Sequence, residues 1–236
     1  MIRGRERVST QVRMWLNYPY PNFPSKENLV GYWAFNEGTG TTAFDNSGNS
    51  NHGTLVNMED ADWVDGVVGK CLEFDGSNEY VNCGNDVSLK LEPQEDAFSL
   101  VCWFKTNVSG TLISKGVATA SLRQYQLYTQ SESIDVNLGG AVSSVTFTWD
   151  DSNWHFIAVT VPASATGHKM YIDGVFYVWN IDGGIGTEVN DAQDVNIGGR
   201  TNGGFLLTGL IDEVRIYDTA LTVSEIKALY DYPGGV

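Results

Sequence analysis

The sequence predicts an all-β protein: a two-sheet antiparallel jelly-roll sandwich with one short C-terminal helix. Three observations carry this. Short runs of β-branched and aromatic residues recur along the chain, separated by turns rich in Gly, Asn and Asp. Aromatic residues are 12 % of the chain and glycines number 26 of 236, a mix that favours strands and tight turns. A helix start signal appears near the end of the chain, after the strands.

The elements follow in order. Residues 1–28 read as a separate arm. Within it, residues 1–26 carry Arg3, Arg5, Arg7, Arg13 and Lys26 against Glu6, which gives +4, so with −15 overall residues 27–236 carry −19. Three prolines stand among aromatics in "LNYPYPNFPSKEN". Proline fixes φ and lacks an N–H, so this stretch is expected to run extended, outside any central sheet. The jelly-roll body is assigned to residues 29–236. Its first strands are expected at Gly31–Asn36, Gly53–Val56, Lys70–Asp75, Tyr80–Cys83, Phe98–Lys105 and Thr111–Lys115. Arg123–Gln130, Ile134–Leu138, Ser144–Trp149 and His155–Val161 follow. The last are Lys169–Asp173, Val175–Trp179, Asp194–Ile197 and Gly209–Tyr217. In "YIDGVFYV", Asp173-Gly174 supplies the positive-φ corner of a hairpin. In "GLIDEVRIYD", Leu210, Val214 and Ile216 alternate with polar residues, as in a half-buried strand. "WHFIAVTV" is apolar on both faces and reads as central. The helix is placed at Thr222–Tyr230: Thr222 caps, Glu225 closes a capping box, and Leu221 staples onto Ile226.

Composition excludes several functions. A net charge of −15 repels a phosphate backbone, which argues against nucleic acid. No run approaches the roughly 18 apolar residues that a membrane span needs. Cys71, Cys83 and Cys102 form no even disulfide framework and read best as small core thiols. Residues 1–14 lack the apolar run of a secretory signal.

Eight segments appear in an order that resembles a known family: "LVGYWAFNEGTGTTAFDNSGNSNHGTL", "GKCLEFDGSNEYVNCG", "FSLVCWFK", "LISKG", "NWHFIAVT", "MYIDGV", "VNIGGR" and "GLIDEVRIYDTALTVSEIKALY". Together they resemble the laminin-G-like domains of the concanavalin A-like lectin/glucanase superfamily, over about Leu29–Tyr230. The resemblance implies a jelly roll of two curved sheets. It implies little about ligand, because such folds serve lectins, lyases, hydrolases, adhesins and virion proteins.

Two candidate sites follow. In "FDNSGNSNHGT", Asp45, Ser47, Asn49 and Asn51 place oxygen-bearing side chains at alternate positions. Calcium takes six to eight oxygens in flexible geometry, and such a loop offers several. The resemblance adds the aspartate of "GLIDEV", Asp212, as a distant partner. A structural Ca2+ held by Asp45, Asn51, His52 and Asp212 is therefore expected; the alternative is an Asx-rich surface turn without an ion. A second acidic stretch, Glu188, Asn190, Asp191 and Asp194, reads better as a solvated loop than as a rim calcium site. For a sugar ligand, stacking platforms and hydrogen-bonding partners are expected from Tyr125, Tyr177, Trp179, Arg200 and Asn202, with the core role of aromatics as the alternative.

Catalysis is not expected, and no catalytic residue is assigned. Glycosidases need two carboxyl groups flanking the bond, and the one-strand pattern of related glucanases, Glu-x-Asp-x-x-Glu or its shorter form, is missing. The Gln-x-His strand of related lyases is missing too. The leading expectation is a non-catalytic domain, extracellular or on a virion surface, that recognises a glycan or another surface ligand. The alternative is a structural subunit of a homo-oligomer or larger assembly, such as a virus particle, docked through residues 1–28.

Overall fold

The computed structural model describes residues 21–116, 123–177, 185–187, 192–200 and 204–235. Two antiparallel sheets of eight strands each face one another. The first sheet runs β14 (Val175–Tyr177), β13 (Lys169–Ile172), β12 (His155–Val161), β7 (Phe98–Thr106), β16 (Thr208–Tyr217), β5 (Lys70–Asp75) and β4 (Trp63–Asp65), and β1 (Leu29–Trp33) also pairs with β16. The second runs β11 (Ala141–Thr146), β10 (Ser133–Leu138), β9 (Arg123–Gln130), β8 (Gly110–Gly116), β15 (Val195–Ile197), β6 (Tyr80–Asn82), β3 (Gly53–Val56) and β2 (Thr42–Ala43). The jelly-roll expectation is met.

The core lies between the sheets, where Trp33, Leu72, Phe74, Phe98, Phe104 and Tyr125 are fully buried. A second apolar layer covers the other face of the first sheet. There α1 (Val223–Asp231) lays Ile226 and Leu229 against Tyr32, Val101, Trp103 and Phe156. Thr222 caps α1 and exchanges hydrogen bonds with Glu225, as the motif requires. Tyr230 stacks on Trp103, with ring centroids 5.6 Å apart.

This second layer changes the reading of β16. Its alternating pattern predicts one wet face, yet Ile211–Tyr217 are all buried. The polar residues are buried as partners. The Arg215 guanidinium donates to Glu213 and to the carbonyls of Pro233 and Gly235, and lies 4.3 Å from the Tyr32 ring centroid. The Tyr32 hydroxyl donates to the same Glu213 oxygen. Glu213 itself sits at φ +54, in the register shift between Asp212 and Arg215.

Other boundaries also moved. β11 begins three residues earlier than expected, because Gly139-Gly140, at φ 57 and 92, form the two-residue loop between Leu138 and Ala141. β2 and β4 are short strands that the pattern does not reveal. Residues 21–28 of the expected arm lie against the body: Asn22 donates to Ser224, Phe23 packs edge-on to Tyr232, and Pro24 is buried. Residues 1–20 lie outside the described residues. Cys71, Cys83 and Cys102 are buried free thiols. Among the described residues no helix is long and apolar enough to cross a membrane.

Candidate functional site

The Asp45–His52 loop runs beside the free edge of β1. Asp45 Oδ1 accepts from the N–H groups of Tyr32 and Ser47, and Oδ2 from the Ser47 hydroxyl and the Asn51 N–H, all at 2.7–2.9 Å. A carboxylate offers about four lone-pair positions, and all four are taken. Asn51 donates to the Val30 carbonyl and Ser88, and its own carbonyl accepts from the Trp33 indole. His52 Nδ1 accepts from the Asp45 N–H, and its ring meets Phe44 edge-on. Asn49 donates to the Leu29 carbonyl. The loop's side chains thus stand in for a neighbouring strand along β1, covering an edge that would otherwise be open.

Asp212 does not join them. Its Oδ2 accepts from Val67 and Val68 N–H, pinning the turn between β4 and β5, while Oδ1 is buried without a hydrogen-bond partner. Burial pushes this carboxyl up to about 7, against the pull of those amides. Among the described residues no group of three His, Cys, Asp or Glu side chains is placed to hold a metal. The four expected calcium ligands keep separate partners: Asp45, Asn51 and His52 hold β1, and Asp212 holds a different turn. In the second acidic stretch, Asp194 accepts from the Asn82 side chain, and residues 188–191 lie outside the described residues.

The expected ligand residues also separate. Tyr125 is fully buried between the sheets, its hydroxyl bonded to the Leu89 carbonyl, so it offers no platform. Tyr177 is half-buried and packs edge-on against Phe147. Trp179 and Asn202 lie outside the described residues. Arg200 is the one that reaches a promising surface. Its guanidinium lies over Phe205, 4.7 Å from the ring centroid, and 5.8 Å from that of Tyr128. Backbone bonds from Arg200 N–H to Gly204, from Leu207 to Gly198 and from Thr111 to Phe205 hold this loop on the sheet. Phe205 sits at φ +51, a left-handed conformation rare for a bulky residue.

Beneath the loop lies the outer face of the second sheet. Tyr125 and Leu127 point into the core, so Gln126 and Tyr128 point out; Ile134 and Val136 point in, so Asp135 and Asn137 point out. Strand register then sets two rows across β8, β9 and β10: Ser114–Gln126–Asn137 and Thr111–Tyr128–Asp135. Gln126 is 1 % exposed, and Asn137 and Thr111 are fully buried. Yet Gln126 Oε1 and Nε2, Asn137 Nδ2 and Thr111 Oγ1 have no hydrogen-bond partner. Sequence reasoning passed over these residues because strand alternation cannot tell an outward amide from a solvated one. The signal was there in "RQYQLYTQ", whose outward positions are Gln, Gln, Tyr and Gln.

Comparison with known proteins follows this geometry. No curated protein sequence matches the chain. Among solved structures, the binding domain of Paraclostridial Mosquitocidal Protein 1 aligns with a TM-score of 0.64 at 16 % identity, over 87 % of this chain and 52 % of that one. Trypanosoma rangeli sialidase in complex with sialic acid aligns with a TM-score of 0.64 at 18 % identity, over 90 % of this chain and 34 % of that one. Domain 4 of AbnA, a GH43 extracellular arabinanase from Geobacillus stearothermophilus, in complex with arabinotriose, gives 0.61 at 18 % identity over 86 % and 98 %. The chain thus spans about half of the first of these and a third of the second, and at these identities the likeness is one of fold. A family model described as the concanavalin A-like lectin/glucanases superfamily matches residues 75–227, well over half of the sequence, and the chain belongs to that superfamily.

Proposed function

We propose that this chain is a non-catalytic recognition domain that binds a polyhydroxylated ligand, a glycan, on the outer face of the second sheet. The observation that carries the reading is the cluster of buried, unpartnered polar atoms on Thr111, Gln126 and Asn137, in two neighbouring rows beneath Arg200 and Phe205. Each such group costs about 1–3 kcal/mol when buried without a bond, and a cluster of them calls for an explanation. Sugar hydroxyls both donate and accept, and would meet the amide N–H, the amide oxygen and the threonine hydroxyl on displacing the groups that now close these atoms off from solvent. Tyr128 and Phe205 present ring faces and edges to sugar C–H groups, and the Arg200 guanidinium, lying over Phe205, adds donors at the rim. Glycosidase chemistry needs two carboxyl groups across the bond, and of the row residues only Asp135 carries one. The neighbouring binding domains, and the arabinotriose complex among them, support recognition as the role. Such a module suits an extracellular or surface setting.

Gln126→Leu tests this. It keeps the volume and removes both unpartnered atoms. Wild-type protein should retain one class of glycan on an array, and the variant should lose it while its thermal stability holds or rises. No retained glycan, or undiminished binding by Gln126→Leu, would refute the reading.

A further inference from the structure

We propose that His155 is a proton-operated latch: its imidazolium holds the turn 151–155 closed, and the neutral ring lets that turn open. The argument starts from what each group can donate. His155 Nδ1 lies 2.9 Å from Asp173 Oδ2, and Nε2 lies 3.1 Å from Asp151 Oδ1. Carboxylate oxygens only accept, so both ring nitrogens must donate, and an imidazole donates from both only as the cation. His155 is 6 % exposed, so water has little room to replace a lost partner.

The charged groups that face the ring come from two elements. Asp173 stands at the corner of the β13–β14 hairpin, and Asp151 in the connection from β11 to β12. Phe104 of β7 and Phe147 pack against the ring, with centroids 5.9 and 5.1 Å away, and bring no charge. With its proton the ring is a cation between two anions. Without it, two carboxylates flank a neutral ring. The hydrogen bond to Asp173 above all, and then that to Asp151, hold the proton on the ring beyond the usual histidine range, against the pull of burial.

The two bonds are not equal. Asp173 is fastened to β12 whatever the ring does: its Oδ1 accepts the Phe156 N–H at 2.9 Å, and its own N–H donates to the Phe156 carbonyl. Asp151 is held from within the turn. Its Oδ1 also takes the Asn153 N–H, and its side chain is 42 % exposed. A neutral ring keeps one N–H, and Asp173, fixed and closer, retains it. Nε2 then turns a lone pair towards Asp151 Oδ1, acceptor against acceptor. The turn also carries strain. Ser152 sits at φ +63, and such backbone persists only where its surroundings hold it. Loss of the Nε2 bond removes one of those holds. Ser152 lines a cleft of about 340 Å3 with Lys105, Asn107 and Leu210, so an opened turn reshapes that cleft. The latch is shut at mildly acidic pH and opens as pH climbs through the folded value of the ring. This inference stands apart from the glycan reading, whose face belongs to the other sheet.

NMR of the full 236-residue chain, labelled with nitrogen-15, tests this. At about pH 6 both ring nitrogens of His155 should carry protons, and the ring should titrate above about 6.5. Solvent exchange of the Asn153 amide, corrected for its intrinsic pH dependence, should quicken about tenfold with the same midpoint, the change expected for losing one hydrogen bond to a charged group. The backbone shifts of Ser152 should move with it. Asp151→Asn tests the latch itself. Its amide can accept from a protonated Nε2 or donate to a neutral one, so the turn should stay closed throughout and the step should vanish. Asp151→Ala should show the fast exchange at every pH. A neutral ring at about pH 6, exchange that stays level while the wild-type ring titrates, or a step that survives in Asp151→Asn would each overturn the proposal.

Discussion

Arg215→Met is the sharpest test of how β16 is stabilised. Arg215 and Glu213 are both fully buried, and Tyr32 is 7 % exposed, so water cannot replace a lost partner. Removing the guanidinium leaves the Glu213 carboxylate with the Tyr32 hydroxyl alone, and strips a donor from the Pro233 and Gly235 carbonyls. Breaking a buried pair in this way costs about 3–5 kcal/mol. In a domain of this size that lowers the melting temperature by roughly 6–20 °C. The cost should depend on pH. Burial already raises the Glu213 carboxyl, and without Arg215 it rises further. Between its unfolded and folded values the native state holds the extra proton, so the variant loses stability as pH rises. It should be nearest to wild type at mildly acidic pH. Glu213→Gln added to Arg215→Met should recover part of the loss, because the stranded charge is gone. Urea titrations of the four proteins measure this as a double-mutant cycle. A single-variant cost below about 1 kcal/mol, or zero coupling, would show that the pair is hydrated and the argument wrong.

Four further outcomes are expected. Asp45→Ala should cost about 3 kcal/mol by freeing the Tyr32 and Asn51 N–H groups, equally in calcium and in EDTA, and a loss confined to calcium would restore the metal reading. Gly198→Ala forces a Cβ to within 2.4 Å of Phe74 at φ +80, so urea unfolding should show a loss of about 2–4 kcal/mol. Burial lowers His168 to about 4, so the unfolded chain binds the extra proton between about 4 and 6.5; stability should rise with pH across that window and flatten in His168→Gln. His155, bonded to Asp173 and Asp151, is raised, so its contribution is full below about 6.5 and fades as pH climbs through its folded value; His155→Gln should remove that slope from a pH series of melts.

The fold was legible in the sequence because its signals are local. Asp173-Gly174 marks a hairpin by the φ it permits, Thr222 and Glu225 mark a helix start by the bonds they exchange, and period-two apolar runs mark strands. Each depends on neighbours a few residues away, so reading along the chain recovers it. The order of the strands, combined with the family resemblance, then specified the jelly roll.

What tertiary structure alone decided is the environment of each polar and aromatic side chain. Asp45 and Asp212 are alike in sequence as carboxylates beside turns, but packing commits one to the edge of β1 and the other to the Val67–Val68 amides, so they do not meet. Tyr125 and Tyr128 stand three residues apart on one strand; alternation and sheet stacking bury the first in the core and set the second under Arg200 and Phe205. The polar residues of β16 look solvated until Tyr32, the Val67–Val68 turn and the residues after α1 close over them. Burial is a sum over contacts from the whole chain, whereas a motif records only its own few residues. That is why the sequence by itself determined the architecture, while the position of the candidate site emerged only with the fold.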